Sequence, residues 1–200
     1  MTSPSRHDEP LKVSSTNPAA SMQLAGRLRS YLEELNSSRR IVVVCLGTDR
    51  STGDSLGPLV GTQLKRFRSP EFDLYGTLES PVHALNVDET LARIHAQLRS
   101  PFIIGIDACL GQASSVGYIH LGSGPVCPGS GVGKTITPVG DIHMTGVVNV
   151  GGFMEYMVLQ NTRLHVVMHM SDVIARSVYR AVATADRFAG MRAVAAAAAE

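Results

Sequence analysis

A continuous apolar run, Ile41 to Leu46, constrains the fold more than any other stretch of the chain. Its residues, IVVVCL, are mainly β-branched and do not alternate with polar residues. A strand of this kind is typically covered on both faces, as in a parallel sheet flanked by helices. The run breaks at Gly47, passes through a polar loop that contains Asp54, and leads into a helical pattern over Ser55 to Phe67. The stretch therefore predicts the strand, loop and helix of an α/β protein.

The remainder of the chain repeats this alternation of apolar strands and amphipathic helices. Helices are expected at Ala20 to Leu35, Val87 to Leu98 and Asn161 to about Phe188, and strands at Phe72 to Leu78, Phe102 to Ile106, Val116 to Leu121 and Ile142 to Val150. The alternation predicts a three-layer α/β/α sandwich built on a mostly parallel sheet. The length suits a single domain over residues 19–190. Residues 1–18, rich in Ser, Pro and charge, are expected to be a disordered tail, and residues 191–200 an alanine-rich tail.

Composition and charge argue against several classes of function. The net charge is +1 and aromatic residues make up 5% of the chain, so no nucleic-acid partner is expected. No apolar run approaches the length of a membrane span, and the first residues lack the apolar core of a signal peptide. The three cysteines include no CxxC pair, which is typical of a reduced chain. We therefore expect a cytoplasmic protein without a membrane partner.

Two acids stand where ligands gather in a parallel sheet. Asp54 lies in the loop after the first apolar strand, and Asp107 directly follows another. Ligands bind beyond the carboxyl ends of such strands, so both acids should project from one edge of the sheet. Two close carboxylates separate in pKa and supply an acid and a base, which can activate water against a peptide bond. They can also hold a divalent cation if a histidine or third acid joins them. The alternative is that Asp54 is only a helix N-cap and Asp107 only a loop acid.

A glycine-rich segment, CPGSGVGKT at Cys127 to Thr135, nearly matches a phosphate-binding loop. Pro128 stands where that pattern needs a glycine, and Pro138 opposes the helix that should follow. Nucleotide binding is therefore not expected. The glycines favour a close approach of backbone amides to another kind of ligand or to a neighbouring loop.

Histidines and a cysteine are weaker candidates for chemistry. His165 and His169 are four residues apart on a predicted helix, a spacing that two metal ligands can share, but no acid completes an HExxH arrangement. Cys109 has no neighbouring histidine to activate it, and its surroundings favour a small buried side chain. These patterns predict neither a metal nor a cofactor.

Four segments resemble the YyaC-type sporulation proteins: LGTDRSTGDSLGP, IGIDACLG, PGSGVGK and GVVNVGGFMEYMVLQNTRL. The resemblance covers Ile41 to Arg180. That family is similar to the spore germination protease and, more distantly, to the hydrogenase maturation endopeptidases. It implies an α/β/α fold of the phosphorylase/hydrolase-like type, which agrees with the pattern of elements.

The resemblance also implies an activity. In the germination protease, the acids at the positions of Asp54 and Asp107 form an atypical aspartic catalytic pair, and a PGSGVG segment lies near the active site. In the maturation endopeptidases, the same two positions and a downstream histidine bind the metal of the substrate protein. His143 is the nearest histidine here, but it begins a predicted strand and does not lie in a loop. No intrinsic metal is therefore expected.

We therefore expect a peptidase of the forming or germinating spore, in which Asp54 and Asp107 share a proton and activate water. Its partner would be a protein or peptide substrate in the forespore or spore interior. Whether the protein forms a homo-oligomer stays open. Because a helix N-terminus favours a charged carboxylate, Asp54 is the expected low-pKa member and Asp107 the protonated one. Two alternatives stay open: a non-catalytic sporulation protein of the same fold that acts in protein interaction, and a metal-dependent maturation-type endopeptidase. The substrate cleft would be shaped by four residues of the glycine-rich segment: Gly129, Ser130, Gly131 and Gly133.

Overall fold

The computed structural model describes residues 9–35, 39–67, 69–127 and 136–197, with side chains described through residue 184. Within these residues the strands are β1 (Leu11–Ser14), β2 (Ile41–Cys45), β3 (Phe72–Tyr75), β4 (Phe102–Gly111), β5 (Tyr118–Ser123) and β6 (Ile142–Val150). The α-helices are α1 (Ala20–Glu33), α2 (Leu56–Arg66), α3 (Val87–Gln97), α4 (Glu155–Gln160) and α5 (Leu164–Ala197). None of the helices in these ranges is long and apolar enough to cross a membrane.

The strands form one sheet in the order β1-β5-β6-β4-β2-β3. Strands β3, β2, β4 and β6 run parallel to one another, whereas β5 is antiparallel to β6 and β1 is antiparallel to β5. The two antiparallel pairings extend the sheet on the side of β6. The prediction of an α/β fold with a mostly parallel sheet is confirmed.

Both faces of the parallel strands are buried, which explains the uninterrupted apolar runs. On one face, residues of β2, β4, β5 and β6 pack against α1, α2 and α5, with Leu28, Leu56 and Ile174 fully buried. On the other face, α3 and the bridged pair Val126 and Val139 cover β2 and β4. The helices thus form unequal outer layers around the central sheet.

Residues 1–18 are not a tail throughout, contrary to the expectation. Leu11–Ser14 form the edge strand β1, paired with β5, and Val13 is buried in the main core. Leu11 and Val13 alternate with polar residues, which suits an edge strand covered on one face. The high content of Ser, Pro and charge around this short strand hid the alternation. At the other end of the chain, helix α5 continues to Ala197, into the expected alanine-rich tail.

Candidate active site

The loop that carries Asp54 folds back onto the end of β2. The backbone N–H of Thr48 donates to the carbonyl of Asp54 at 3.2 Å, which closes the loop. Gly47 has a φ of +132°, and a Cβ there would collide with the same carbonyl. Only glycine fits this turn, because it is free of both the collision and the strain. Asp54 is therefore held beside the point where β2 ends.

Asp107 lies on β4 next to that point. Cys45, the last residue of β2, is opposite Ile106, and the N–H of Leu46 donates to the Ile106 carbonyl at 2.7 Å. β4 does not end at Ile106 as the sequence predicted, but continues to Gly111 beside β6. Asp107 is thus the first residue of β4 beyond the end of β2, and the loop with Asp54 begins where β2 stops.

The electrostatics of the two carboxyl groups indicate an interacting pair. Burial raises the pKa of Asp107 to about 7. A hydrogen bond from the Ala108 N–H opposes this rise, and the negative charge of Asp54 adds to it. That N–H donates to Oδ1 of Asp107 at 2.8 Å. Burial also raises the pKa of Asp54 above its ordinary value. Asp107 is 9% exposed, whereas Asp54 is half-buried. The pair therefore combines a buried carboxyl group, Asp107, whose pKa lies near neutrality, with a second one, Asp54, that is nearer to solvent.

Asp54 does not act as a side-chain cap of the following helix. It lies inside a single 3-10 turn, Gly53–Ser55, and Ser55 occupies the N-cap of α2 without a capping hydrogen bond from its side chain. The Ser55 hydroxyl instead donates to the Thr52 carbonyl at 2.6 Å. Desolvation, and not the helix N-terminus, is the dominant influence on the pKa of Asp54 and raises it. The expected order of the pair, with Asp54 as the low-pKa member and Asp107 as the protonated one, stays a prediction.

Two further side chains of the site, Ser51 and Thr145, had no role in the sequence prediction. Ser51, in the same loop as Asp54, is buried, and its hydroxyl has no hydrogen-bond partner among the described residues. Thr145 of β6 is the register partner of Asp107 and hydrogen-bonds the Cys109 thiol, whose pKa is raised mainly by burial. Thr145 lies next to Asp107 because β6 is the neighbour of β4 in the sheet, an order that the sequence does not reveal. No sequence signal separates Ser51 from an ordinary loop serine.

The histidines are not assembled around the acids. His143 is opposite Gly105, and its Nδ1 is 3.0 Å from the carbonyl oxygen of Gly124. His169 on α5 has its Nε2 2.9 Å from the Ser15 carbonyl oxygen. Among the described residues, no group of three or more His, Cys, Asp and Glu side chains could hold a metal ion. Within the described part of the chain, Asp54 and Asp107 therefore have no third side chain of these types placed to hold a metal ion with them.

The glycine-rich segment falls mainly outside the described residues, which omit 128–135. The predicted substrate contacts at Gly129, Ser130, Gly131 and Gly133 thus stay predictions. The described residues flanking the segment carry one relevant contact. Val126 and Val139 pair as an isolated bridge over Gly105, where a Cβ would lie 2.5 Å from the Val139 carbonyl oxygen and 2.9 Å from Val126 Cγ1. Gly105 is two residues before Asp107, so by strand alternation both face the same side of the sheet.

Comparisons with known proteins agree with the resemblance read from the sequence. A family model described as "Protein of unknown function (DUF1256)" matches residues 12–177. The chain is 53% identical over 163 residues to "Uncharacterized protein YyaC" of Bacillus subtilis (strain 168), a match that covers 82% of this chain and 79% of that protein. The similarity to YyaC-type proteins is thereby confirmed.

A solved structure shares the fold at low sequence identity. The crystal structure of the NiFe hydrogenase maturation protease HycI from Thermococcus kodakarensis KOD1 matches with a TM-score of 0.52 and 15% identity. The match covers 76% of this chain and 98% of HycI. At this identity the likeness shows the common α/β fold, and activity has to be argued from the site.

Proposed function

The chain belongs to the DUF1256 family, and we propose that it is a peptidase in which Asp54 and Asp107 activate water for hydrolysis of a peptide bond. The observation that carries the proposal is the pair itself: two acids at one edge of the sheet, with the pKa of Asp107 raised to about 7 by burial and by the charge of Asp54. A carboxyl group with such a pKa is protonated in roughly half of the molecules at neutral pH, which suits a general acid. The protease fold of HycI supports the same reading by analogy.

The two carboxyl groups take complementary roles in the proposed reaction. Asp54, nearer to solvent, accepts a proton from water as the water oxygen bonds to the peptide carbonyl carbon. Asp107 donates its proton to the carbonyl oxygen. When the tetrahedral intermediate breaks its carbon–nitrogen bond, Asp54 passes its proton to the leaving nitrogen and Asp107 recovers one from the oxygen. Both groups return to their starting states, so no cofactor is required.

The resemblance to YyaC-type sporulation proteins supports a substrate among the proteins of the forming or germinating spore. A non-catalytic protein of the same fold is the second candidate, and one observation favours it: Asp107 is only 9% exposed. Under the catalytic proposal, substrate reaches Asp107 from the side of the half-buried Asp54.

Mutation of each acid tests the proposal. Acid-soluble proteins extracted from spores are incubated with the wild type, Asp54→Asn and Asp107→Asn, and the fragments are identified by mass spectrometry. We expect each variant to cleave at least about 100-fold more slowly, because proton transfer by a positioned carboxyl group contributes that much or more. Asp49→Asn is the matched control, since Asp49 lies exposed in the same loop and its variant should cleave at the wild-type rate.

Circular dichroism and thermal unfolding establish that the variants remain folded. Cleavage at the wild-type rate by both Asp54→Asn and Asp107→Asn would exclude the mechanism. A wild type that cleaves none of the spore proteins would favour the non-catalytic candidate.

A further inference from the structure

A cluster of large apolar side chains is exposed beside the candidate active site. Phe153, Met154, Tyr156 and Met157, named the rim surface below, lie within five consecutive residues at the start of α4. Phe153 is 90% exposed and Tyr156 64% exposed, and about half of each methionine is exposed. Glu155 lies among them half-buried, where its carboxylate accepts a hydrogen bond from the Gly152 N–H at 3.4 Å. The exposed side chains of this surface are therefore uncharged and mainly apolar.

The inner side of α4 is fixed against the loop that carries Asp54. A Cβ on Gly53 would lie 2.6 Å from Leu159 Cδ2 and 3.1 Å from Leu159 Cα, so the helix and the loop are in direct contact. Asn149 of β6 donates to the Val158 carbonyl and to Thr162 Oγ1, both at 3.2 Å. These contacts hold one side of α4 in place and leave the rim surface directed away from them. The helix that carries the rim surface thus contacts Gly53, the residue directly before Asp54.

The size of the rim surface indicates a small occupant. With full aromatic side-chain areas of about 200 Å², the four residues expose roughly 500 Å². A patch of a few hundred Å² commonly marks an interaction site. A stable complex between two proteins needs about 800 Å² from each partner, which this patch alone does not supply. A short polypeptide segment suits the area better than a second copy of the chain.

We propose that the rim surface binds apolar side chains of the polypeptide substrate next to the bond that is cleaved. The proposal rests on the proposed function, because it assigns the rim surface to the substrate of Asp54 and Asp107. Aromatic and aliphatic side chains are usually buried in folded proteins. The substrate class is therefore a polypeptide with an extended or locally unfolded segment that presents such residues.

Binding is measured separately from cleavage. The background is Asp107→Asn, which keeps the rim surface and should cleave at least about 100-fold more slowly than the wild type. The probe is an array of short peptides of randomised sequence, read by fluorescence of the labelled protein. Phe153→Ser with Tyr156→Ser in this background removes most of the exposed apolar area. Met22→Ser is the matched control, because Met22 on α1 is 63% exposed but belongs to a different part of the surface.

We expect the bound peptides to be enriched in Phe, Leu, Met and Tyr. The double variant should bind them at least about tenfold more weakly, as expected for loss of two aromatic anchors, and the Met22→Ser control should bind unchanged. Equal binding by the double variant, or no enrichment of apolar residues, would overturn the proposal. The proposal would also be overturned if the rim surface were a dimer interface. In that case the wild type would sediment as a dimer and bind no peptide, and the double variant Phe153→Ser with Tyr156→Ser would sediment as a monomer. If apolar peptides bind through this surface but wild type cleaves nothing, the peptidase proposal fails and the binding surface stands.

Discussion

At the scale of single residues, burial is the dominant influence on the candidate site. Asp107 is placed on a strand that is apolar up to Ile106, and removal from water is the largest cause of its raised pKa. Burial disfavours the charged form of a carboxyl group, so removal from water shifts Asp107 toward its protonated form. Ser51 adds a buried hydroxyl without a partner among the described residues. Buried polar groups left in this state are costly and concentrate where a protein uses them.

The raised pKa of Asp107 predicts how stability depends on pH. The folded protein holds this proton up to a pH of about 7, whereas the unfolded chain releases it near pH 4, so the free energy of unfolding should fall as the pH rises between these values. The fall contributed by this carboxyl group is up to about 4 kcal/mol. We expect Asp107→Asn to remove that fall and to be more stable than the wild type at pH 8. Urea unfolding of both proteins from pH 4 to pH 8 measures the difference, and parallel curves would contradict the assignment.

At the scale of elements, close approach between α2 and the ends of two strands sets the geometry of the site. A Cβ on Gly57 would collide with the Leu46 carbonyl, and one on Gly61 would collide with the Gly76 carbonyl. These glycines are four residues apart, so they lie on one side of the helix. They allow the helix that follows Asp54 to lie directly on the ends of β2 and β3. The spacing was visible in the sequence, but its meaning depends on which strands the helix touches.

A pair of glycine substitutions tests this packing. Gly61→Ala should lower the free energy of unfolding by about 3 kcal/mol or more, because the backbone of Gly76 has to move to admit the methyl group. Gly26→Ala is the matched control, since Gly26 is also within a helix but a methyl group added there would meet no heavy atom within 4 Å. The control should gain about 0.5–1 kcal/mol from helix propensity. Chemical denaturation measures both, and equal stability of the two variants would show that α2 does not approach the strands this closely.

At the scale of the whole molecule, the sequence could predict the class of fold and the edge at which the two acids meet. Uninterrupted apolar runs such as Ile41 to Leu46 are typical of strands covered on both faces, so they indicated the layers directly. The order of the strands could not be predicted, because it depends on contacts between distant segments. The partnership of Thr145 with Asp107 therefore appeared only in the structure.

Two elements were missed for a related reason. Strand β1 is four residues long and α4 is six, and both are held by partners elsewhere in the chain: β1 by β5, and α4 by Asn149 and Gly53. Short elements have weak intrinsic preferences, so local composition predicted a tail for one and nothing for the other. The apolar residues of the rim surface are of types that usually form a core, and only the structure shows that they are exposed.

The structure places Asp54 and Asp107, from distant parts of the chain, at one edge of the sheet, and the proposed function depends on an interaction between them. The most direct test is a titration of the side-chain carboxyl carbons by NMR, in the wild type and in Asp54→Asn. We expect a pKa of about 7 for Asp107 in the wild type and a lower pKa in the variant, because the negative charge of Asp54 contributes to the rise. An ordinary aspartate pKa for Asp107, or a raised value that Asp54→Asn leaves unchanged, would contradict the pairing.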